Sequence, residues 1–221
     1  MGNLKITFIG PTLRLSNISN RDYLFAIKGL LQAIEVEIKS NLTEFEGSDY
    51  ISDYVHNVFK DKEIKVLKDS ERAKGQEELL KDEPWYVFNA NYGTSEEKSF
   101  VSMFAERFKT LKENYKNIYL IRNEREVKIF DKLGRAFEPD FILFCKQEKN
   151  EELTYQVFIE PKGEHLMIHD KWKEDFLKSI KDEKKVIRIN TDKYIITAAP
   201  FYNYANENEF NSSLKNVLDV K

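Results

Sequence analysis

The chain of 221 residues is long enough for one sizeable hydrophobic core, alone or with a small appended subdomain. Its 35 basic and 38 acidic side chains leave a net charge of −3, which excludes an autonomous, strongly basic DNA-binding domain. No apolar run reaches the roughly eighteen residues of a membrane span. The single cysteine excludes an internal disulfide and favours a reducing, cytoplasmic setting.

The N-terminal part of the chain predicts a small subdomain of mixed α and β structure. The apolar run Lys5–Ile9 predicts a strand. Apolar residues recur on one helical face in Arg21–Ser40, with Asn20 as the predicted N-cap. Asp49–Phe59 predicts a second amphipathic segment, and Ile64–Leu67 predicts another strand.

A change in composition marks a boundary between two parts of the chain. Lys68–Glu83 is charged and poor in large apolar side chains, which predicts an exposed helix or linker. Strand-like character resumes at Pro84–Phe88. We therefore assign residues 1–83 to an N-terminal subdomain with its linker, and residues 84–221 to the main domain.

The main domain alternates predicted helices with predicted strands. This alternation predicts an α/β sandwich whose central, mostly antiparallel sheet is flanked by helices. One helix, Ser95 to about Tyr115, carries a stripe of phenylalanine and other apolar side chains that is predicted to cover one side of the sheet. The other predicted elements are strands at Ile118–Ile121, Val127–Phe130, Val186–Ile189 and Tyr194–Ala198, and helices at Asp170–Asp182 and Glu207–Leu218.

The most informative stretch, residues 134–163, predicts a long hairpin. Its two strand-like runs, Ala136–Phe144 and Thr154–Glu160, are separated by a polar connection. Because side chains alternate along a strand, Phe137 is predicted to share a face with Phe141 and Leu143.

The same alternation brings charged side chains together on the hairpin. Asp140 shares a face with Ile142 on the first strand, and Glu160 shares a face with Lys162 if the second strand continues. A carboxylate from each of two paired strands, with an ammonium beside one of them, indicates a Mg²⁺ site for hydrolysis. The alternative is an ordinary cross-strand ion pair, which is common on half-exposed sheets.

These residues resemble a known nuclease pattern. Pro139-Asp140 followed by Glu160-Pro161-Lys162 resembles the PD-(D/E)xK nuclease superfamily. The segments FEPDFILF and VFIEPKGEH, preceded by YGTSEEKSF, are similar to the C-terminal nuclease domain of the restriction (helicase-nuclease) subunit of type III restriction enzymes. The similarity is clearest from Trp85 to Asn208. It implies a restriction-endonuclease-like fold and a Mg²⁺-dependent endonuclease for double-stranded DNA, with Mn²⁺ as a substitute metal and a role in phage defence in the prokaryotic cytoplasm.

The resemblance also implies roles for individual residues. Asp140 and Glu160 would hold the metal, and Lys162 would orient the attacking water and stabilise charge on the phosphate. Glu97, in the first turn of the phenylalanine-rich helix, aligns with a third acid that completes the catalytic and metal-binding set. Thr94-x-x-Glu97 is equally a capping-box pattern, in which Glu97 bonds to a backbone N–H, so both interpretations of Glu97 stay open. Its neighbour Glu96 is the second candidate for the third acid.

Basic side chains near the predicted site are candidates for DNA contact. Lys171, Lys173 and His165 are the three that we select, because cations at such positions meet backbone phosphates. The alternative is a solvated helix face balanced by acidic neighbours. The net acidic composition indicates that either the basic groups are segregated on one surface or another domain holds the DNA. The sequence contains no P-loop pattern, and the resemblance implies that a helicase/ATPase region and a modification (methyltransferase) subunit lie outside this chain.

Two other functions compete with the DNA endonuclease. One is a non-catalytic DNA-binding or protein-docking module that keeps the fold and uses its lysine-rich face. The other is an RNA-directed or otherwise defence-associated nuclease on the same fold. The presence of Asp140, Glu160 and Lys162 together favours catalysis over a binding module.

Overall fold

The structure is a computed structural model that describes residues 19–41, 53–147, 153–167, 169–189 and 192–218. The chain divides into two units, residues 1–45 and 46–221. The first unit contains α1 (Asn20–Asn41), which confirms the predicted helix. The predicted strand Lys5–Ile9 lies outside the described residues.

Reciprocal hydrogen bonds cap the start of α1. The backbone N–H of Asp22 donates to Oγ of Ser19 at 3.3 Å, and that of Ser19 donates to Oδ2 of Asp22 at 2.9 Å. Ser19 is therefore the capping residue, one position before the predicted Asn20. Its hydroxyl accepts from an N–H group that the first helical turn leaves without a backbone partner.

The second unit contains six further helices and seven strands in the described residues. The helices are α2 (Val55–Val58), α3 (Glu77–Leu80), α4 (Ser95–Leu111), α5 (Glu164–Met167), α6 (Lys171–Glu183) and α7 (Glu207–Val217). The strands are β1 (Tyr115–Arg122), β2 (Ile129–Phe130), β3 (Ala136–Phe137), β4 (Phe141–Gln147), β5 (Leu153–Ile159), β6 (Lys185–Ile189) and β7 (Asp192–Ala198). Short 3₁₀ turns form at Glu71–Ala73 and Tyr204–Asn206.

Five of these strands form one mixed sheet in the order β1-β4-β5-β7-β6. β5 and β7 run parallel, whereas the other three neighbouring pairs are antiparallel. This confirms the predicted α/β architecture with a mixed, mostly antiparallel sheet. β2 and β3 pair separately in a small two-stranded sheet, so the predicted strand Val127–Phe130 is shorter than expected and stays outside the main sheet.

Helices cover both faces of the five-stranded sheet. On one face α4 and α7 pack against β4 and β5, with the rings of Phe100 and Phe141 centred 5.0 Å apart. On the other face α6 packs through Leu177 and Ile180 against Ile142 and neighbouring side chains. Burial of apolar surface on both faces explains why the strands are richer in apolar residues than a half-exposed sheet requires.

The hairpin of β4 and β5 confirms the predicted alternation, with one correction. Phe141 and Leu143 belong to the core under α4, and Ile142 belongs to the core under α6. Phe137, predicted on the face of Phe141, instead packs under α6. The reason is that the predicted run Ala136–Phe144 is broken at residues 138–140, so that Phe137 lies in β3 and the alternation restarts at β4.

Predictions for the segment before α4 are partly wrong. The amphipathic segment predicted at Asp49–Phe59 contains only the single helical turn α2 within its described residues. Ile64–Leu67 is not a strand, and Leu67 is 82% exposed; an apolar run pairs as a strand only where a neighbour buries its side chains. Pro84–Phe88 makes one isolated bridge, between Tyr86 and Leu120 of β1, while Trp85 is buried in the core.

The structure places residues 46–83 in the same unit as the sheet. The boundary after residue 83 stays a prediction, whereas the division of the chain into two compact units falls after Phe45. Within residues 68–83, Leu80 of α3 is buried against the core. This part of the predicted linker is therefore attached to the main domain.

Candidate functional site

Two acidic residues meet at one end of the hairpin. Asp140 lies immediately before β4 and Glu160 immediately after β5, and the antiparallel register pairs Phe141 with Ile159 beside them. The backbone N–H of Asp140 donates to Oε2 of Glu160 at 3.1 Å. The two acids that the sequence predicted as partners are thus brought together, although each lies just outside its strand.

Asn123, which follows β1, holds the backbone that carries Asp140. Its N–H donates to the carbonyl of Asp140 at 2.7 Å, and its Nδ2 donates to the carbonyl of Pro139 at 2.8 Å. Both carbonyls are therefore satisfied by one residue. The position of Asp140 is fixed by the end of β1 as well as by its own strand.

Pro161 fits between the two functional side chains without the loss of a ladder hydrogen bond. It forms a parallel bridge with Tyr202, whose N–H donates to the carbonyl of Glu160 at 3.0 Å and whose carbonyl accepts from Lys162 at 2.8 Å. In a parallel ladder these bonds use the residues on either side of the bridged one, so the missing N–H of Pro161 is not needed. The extended backbone keeps Glu160 and Lys162 on the same side.

Lys162 belongs to a chain of alternating charges. Its Nζ lies 3.0 Å from Oε1 of Glu160 and 2.9 Å from Oδ2 of Asp170, the residue before α6. Lys173, in the first turn of α6, also binds Oδ2 of Asp170, at 3.3 Å. The side chain of Lys162 is only 11% exposed. Burial by itself would lower the pKa of Lys162, but the bonds to Asp170 and Glu160 raise it above its ordinary value.

Glu97 is both a capping residue and a residue of the site. Its Oε1 accepts from the N–H of Thr94 at 3.2 Å, which completes the predicted capping box at the start of α4. Its Oε2 accepts from Nε of Arg122 at 2.7 Å. Arg122 also pairs with Glu124. A Cβ at Gly93 would lie 2.7 Å from the Cβ of Glu97, so glycine at position 93 gives this side chain room.

All four predicted catalytic residues line one open cleft of about 520 Å³. Its acidic lining residues are Glu96, Glu97, Glu138, Asp140 and Glu160, and its basic lining residues are Arg72, Lys128, Lys162 and Lys173. The cleft lies where β3, the start of β4 and the end of β5 meet the first turns of α4 and α6. The predicted residues therefore share one solvent-accessible volume.

The surroundings of Asp140 disfavour a negative charge on its side chain. In the part of the chain that the structure describes, it makes no hydrogen bond or ion pair. Burial, and then the charges of Glu160 and Glu97, raise the pKa of Asp140 to about 8, against the opposing effect of Lys162. Burial also raises the pKa of Glu160, although Lys162 opposes this shift. A bound cation would relieve this repulsion.

The donor set fits a hydrated hard cation better than a closed metal site. Among the described residues, no three His, Cys, Asp or Glu side chains are arranged to hold a metal ion. Two nearby acids are already engaged in ion pairs, Glu97 with Arg122 and Asp170 with Lys162. Mg²⁺, however, usually keeps several waters and binds through one or two carboxylates. Asp140 and Glu160 are the two carboxylates available for such binding.

The three predicted DNA contacts have different positions. Lys173 lines the cleft, whereas Lys171 is exposed, does not line it and lies 3.7 Å from Asp175. His165 is exposed on α5 and also lies outside the cleft lining. Sequence reasoning missed Asp170, Arg122, Lys128 and Arg72 as residues of the site. Of these, only Asp170 had a sequence signal, since it was predicted to begin a helix.

Comparison with known proteins identifies relatives without an assigned activity. The family model described as the HI_1054_C C-terminal domain matches residues 43–217. An uncharacterized protein of Haemophilus influenzae is 38% identical over 144 residues, which cover 59% of this chain and 31% of that protein. The chain thus spans about a third of the length of this relative. No solved structure matches the chain significantly. None of the described helices has the length and apolar character to cross a membrane.

Proposed function

We propose that this chain, which belongs to the HI_1054_C C-terminal domain family, is a Mg²⁺-dependent endonuclease that hydrolyses phosphodiester bonds of double-stranded DNA. One observation carries this proposal. Asp140 and Glu160 converge at the end of a hairpin, Lys162 contacts Glu160, and all three line an open cleft. A similar arrangement is expected from the likeness to PD-(D/E)xK nucleases.

The restriction-endonuclease-like fold is part of the same proposal. It is supported by a mixed sheet with helices on both faces and by a hairpin of central strands that carries the two acids at one end. The relationship to type III restriction enzymes rests on the sequence segments around Asp140 and Glu160. We accordingly propose that a helicase/ATPase region and a modification subunit act with this domain in the cytoplasm.

Hydrolysis of a phosphodiester needs a positioned water, neutralisation of charge on the phosphate, and a proton for the leaving oxygen. In this proposal Asp140 and Glu160 hold the metal ion, and Mn²⁺ substitutes for Mg²⁺. When bound, Mg²⁺ supplies a Lewis acid and neutralises charge that develops on the phosphate. Glu97 keeps free lone pairs on both oxygens, with which it can hold a water beside the acid pair.

Lys162 is placed to act on the phosphate as a charged donor. Its ammonium is held by Glu160 and Asp170, and a third N–H remains for a phosphate oxygen. A hydrogen bond from a charged group to developing negative charge is stronger in a partly buried site than in water. The pKa of Lys162 is raised by its acidic partners, which keeps the side chain protonated and suits this role.

The non-catalytic module explains the site less well. A docking surface has no need for an acid pair in which burial, and then repulsion from Glu160 and Glu97, raises the pKa of Asp140 to about 8. Burial of like charges costs stability, and such strain is concentrated at functional sites. The acid pair therefore favours metal-dependent catalysis over binding alone.

Plasmid cleavage tests the proposal. The purified chain is incubated with supercoiled plasmid and Mg²⁺ or Mn²⁺, beside the Asp140→Asn, Glu160→Gln and Lys162→Met variants. We expect slow cleavage by the natural chain, because few phosphate contacts are present without partner domains. Each variant should lose activity by about 100-fold or more.

Glu138→Gln is the matched control, since Glu138 lines the same cleft but pairs with Lys128. Equal cleavage by the natural chain and Asp140→Asn would reject the assigned site.

A further inference from the structure

Residues 71–77, which we call the arm, extend from the 3₁₀ turn Glu71–Ala73 to the start of α3. The arm is fastened to α4 by side-chain hydrogen bonds. Nζ of Lys98 donates to the carbonyl of Glu71 at 3.1 Å. Nε2 of Gln76 donates to the carbonyl of Lys98 at 3.0 Å and to Oγ of Ser102 at 2.9 Å.

The other side of the arm is held by the segment that leads into α4. Nδ2 of Asn91 donates to Oε1 of Gln76 at 2.8 Å, and the hydroxyl of Tyr92 donates to Glu77. Gly75 fits closely here, because a Cβ at that position would lie 2.7 Å from the ring of Tyr92. The arm is therefore held at both ends rather than free to move away from the cleft.

The arm presents Arg72 to the cleft of the candidate site. Arg72 lines the cleft and is exposed. In the described part of the chain it has no ion pair and no hydrogen bond. The other basic residues of the lining all have acidic partners: Lys128 lies 2.9 Å from Glu138, and Lys162 and Lys173 both bind Asp170. Arg72 thus differs from them in having an unused charge.

We propose that Arg72 contacts a backbone phosphate of a DNA duplex bound across this cleft. The inference rests on the proposed function, because it takes the nucleic acid to be the occupant of the same cleft. A guanidinium presents a planar fork of N–H donors that matches a phosphate group. The cleft floor is acidic and repels a polyanion, so an unpaired cation at its rim is the group best placed to attract the strand.

This assignment gives the segment before the predicted boundary at residue 83 a role in the site. The floor of the cleft comes from the hairpin and the first turns of α4 and α6, whereas the arm supplies a rim residue from earlier in the chain. The segment is charged and resembles a linker, yet its polar side chains are the ones that attach it to α4.

Duplex binding by the full chain tests this role. The Asp140→Asn variant serves as the background, so that binding is measured without cleavage, and the probe is a fluorescein-labelled DNA duplex followed by anisotropy over a series of KCl concentrations. We expect Arg72→Ala to weaken binding by about 10-fold and to reduce the salt slope by about one. Arg72→Lys should retain part of the affinity, because it keeps the charge but loses the fork.

Lys74→Ala is the matched control. Lys74 lies on the same arm and is also exposed, but it does not line the cleft. It should change the affinity by less than about 2-fold, since an isolated surface charge acts weakly at a distance in salt. Thermal unfolding of both variants should match the background, because neither side chain is buried.

Three results would overturn the inference: no duplex binding at low salt, equal losses in the two alanine variants, or an unchanged affinity and salt slope in Arg72→Ala. The inference and the proposed function fail separately. If the natural chain cleaves plasmid while Arg72→Ala binds normally, only the role of Arg72 is rejected. If binding depends on Arg72 but the natural chain never cleaves, the nuclease proposal is rejected and the phosphate contact stands.

Discussion

Lys162 and Asp170 are joined by an ion pair of 2.9 Å between the segment after β5 and the residue before α6. Lys162 also binds Glu160 at 3.0 Å, so its ammonium is shared between a candidate metal ligand and a residue outside the hairpin. Because a buried ammonium needs acidic partners, Asp170 helps to determine where Lys162 points. The position of the predicted catalytic lysine thus depends on a helix that the nuclease motif does not include.

Replacement of Asp170 should affect the rate of cleavage more than substrate binding. In Asp170→Asn, Lys162 loses one charged partner and is drawn toward Glu160, away from the phosphate. We expect kcat to fall by about 10-fold with KM nearly unchanged, as for a group that acts in the transition state. Steady-state cleavage of a labelled duplex with Mg²⁺ measures both constants. Asp175→Asn is the control, because Asp175 lies in α6 and pairs with the exposed Lys171; it should behave like the natural chain. A normal kcat in Asp170→Asn would reject the positioning role.

The stability of the metal-free chain should fall as the pH rises. Asp140 has an ordinary pKa of 3.8 when unfolded and a pKa of about 8 when folded. Between these values the folded chain binds a proton that the unfolded chain does not bind, so the free energy of unfolding decreases with increasing pH from about pH 4 to about pH 8. The raised pKa of Glu160 acts in the same direction. Urea unfolding across this range, with a chelator present, measures the slope.

Asp140→Asn provides the comparison for the pH experiment. It removes the titrating group while it keeps the size of the side chain. At about pH 8 the variant should be more stable than the natural chain by about 1–3 kcal/mol, the range expected when a buried charge is removed. Its stability should also depend less on pH. An identical pH dependence in the two proteins would show that Asp140 is not the group responsible.

Divalent metal should stabilise the folded chain through the same two acids. At a Mn²⁺ or Mg²⁺ concentration of 100 times Kd, binding to the folded state alone adds about 2.7 kcal/mol. The melting temperature should rise with metal and return to its original value with a chelator. Asp140→Asn and Glu160→Gln should lose the shift, and Glu138→Gln should retain it. A metal-induced shift that persists in both acid variants would place the ion elsewhere.

The two roles of Glu97 can be separated by two substitutions. Thr94→Ala removes the capping hydroxyl and should cost about 1 kcal/mol of stability while cleavage continues. Glu97→Gln keeps an oxygen for the cap but removes the charge that faces Arg122 and influences Asp140. We expect Glu97→Gln to lower cleavage by about 10-fold, a modest effect for a group that acts through water. Urea unfolding of both variants measures the capping role, and plasmid cleavage measures the catalytic role. Cleavage at the natural rate in Glu97→Gln would leave Glu97 with the capping role alone.

The structure agrees with the sequence predictions where the prediction depends on residues close together in the chain. The periodic stripe of α4, the capping box at Thr94 and the alternation along β4 and β5 depend on neighbours within a few residues. Ile64–Leu67 shows the limit of such predictions. It is apolar enough for a strand, but among the described residues no partner strand pairs with it, and Leu67 stays exposed.

The sequence alone determined that Asp140 and Glu160 flank two adjoining strands, because a hairpin places its two arms side by side and its residues alternate with a period of two. Only the tertiary structure decided what surrounds them. Asp170, Arg122 and Arg72 come from a helix start, a strand end and a polar arm that are far apart along the chain, and no local periodicity links these segments. Their positions around the acid pair depend on how α4 and α6 pack on the two faces of the sheet, and this packing is set by burial of the whole core rather than by any short stretch of residues.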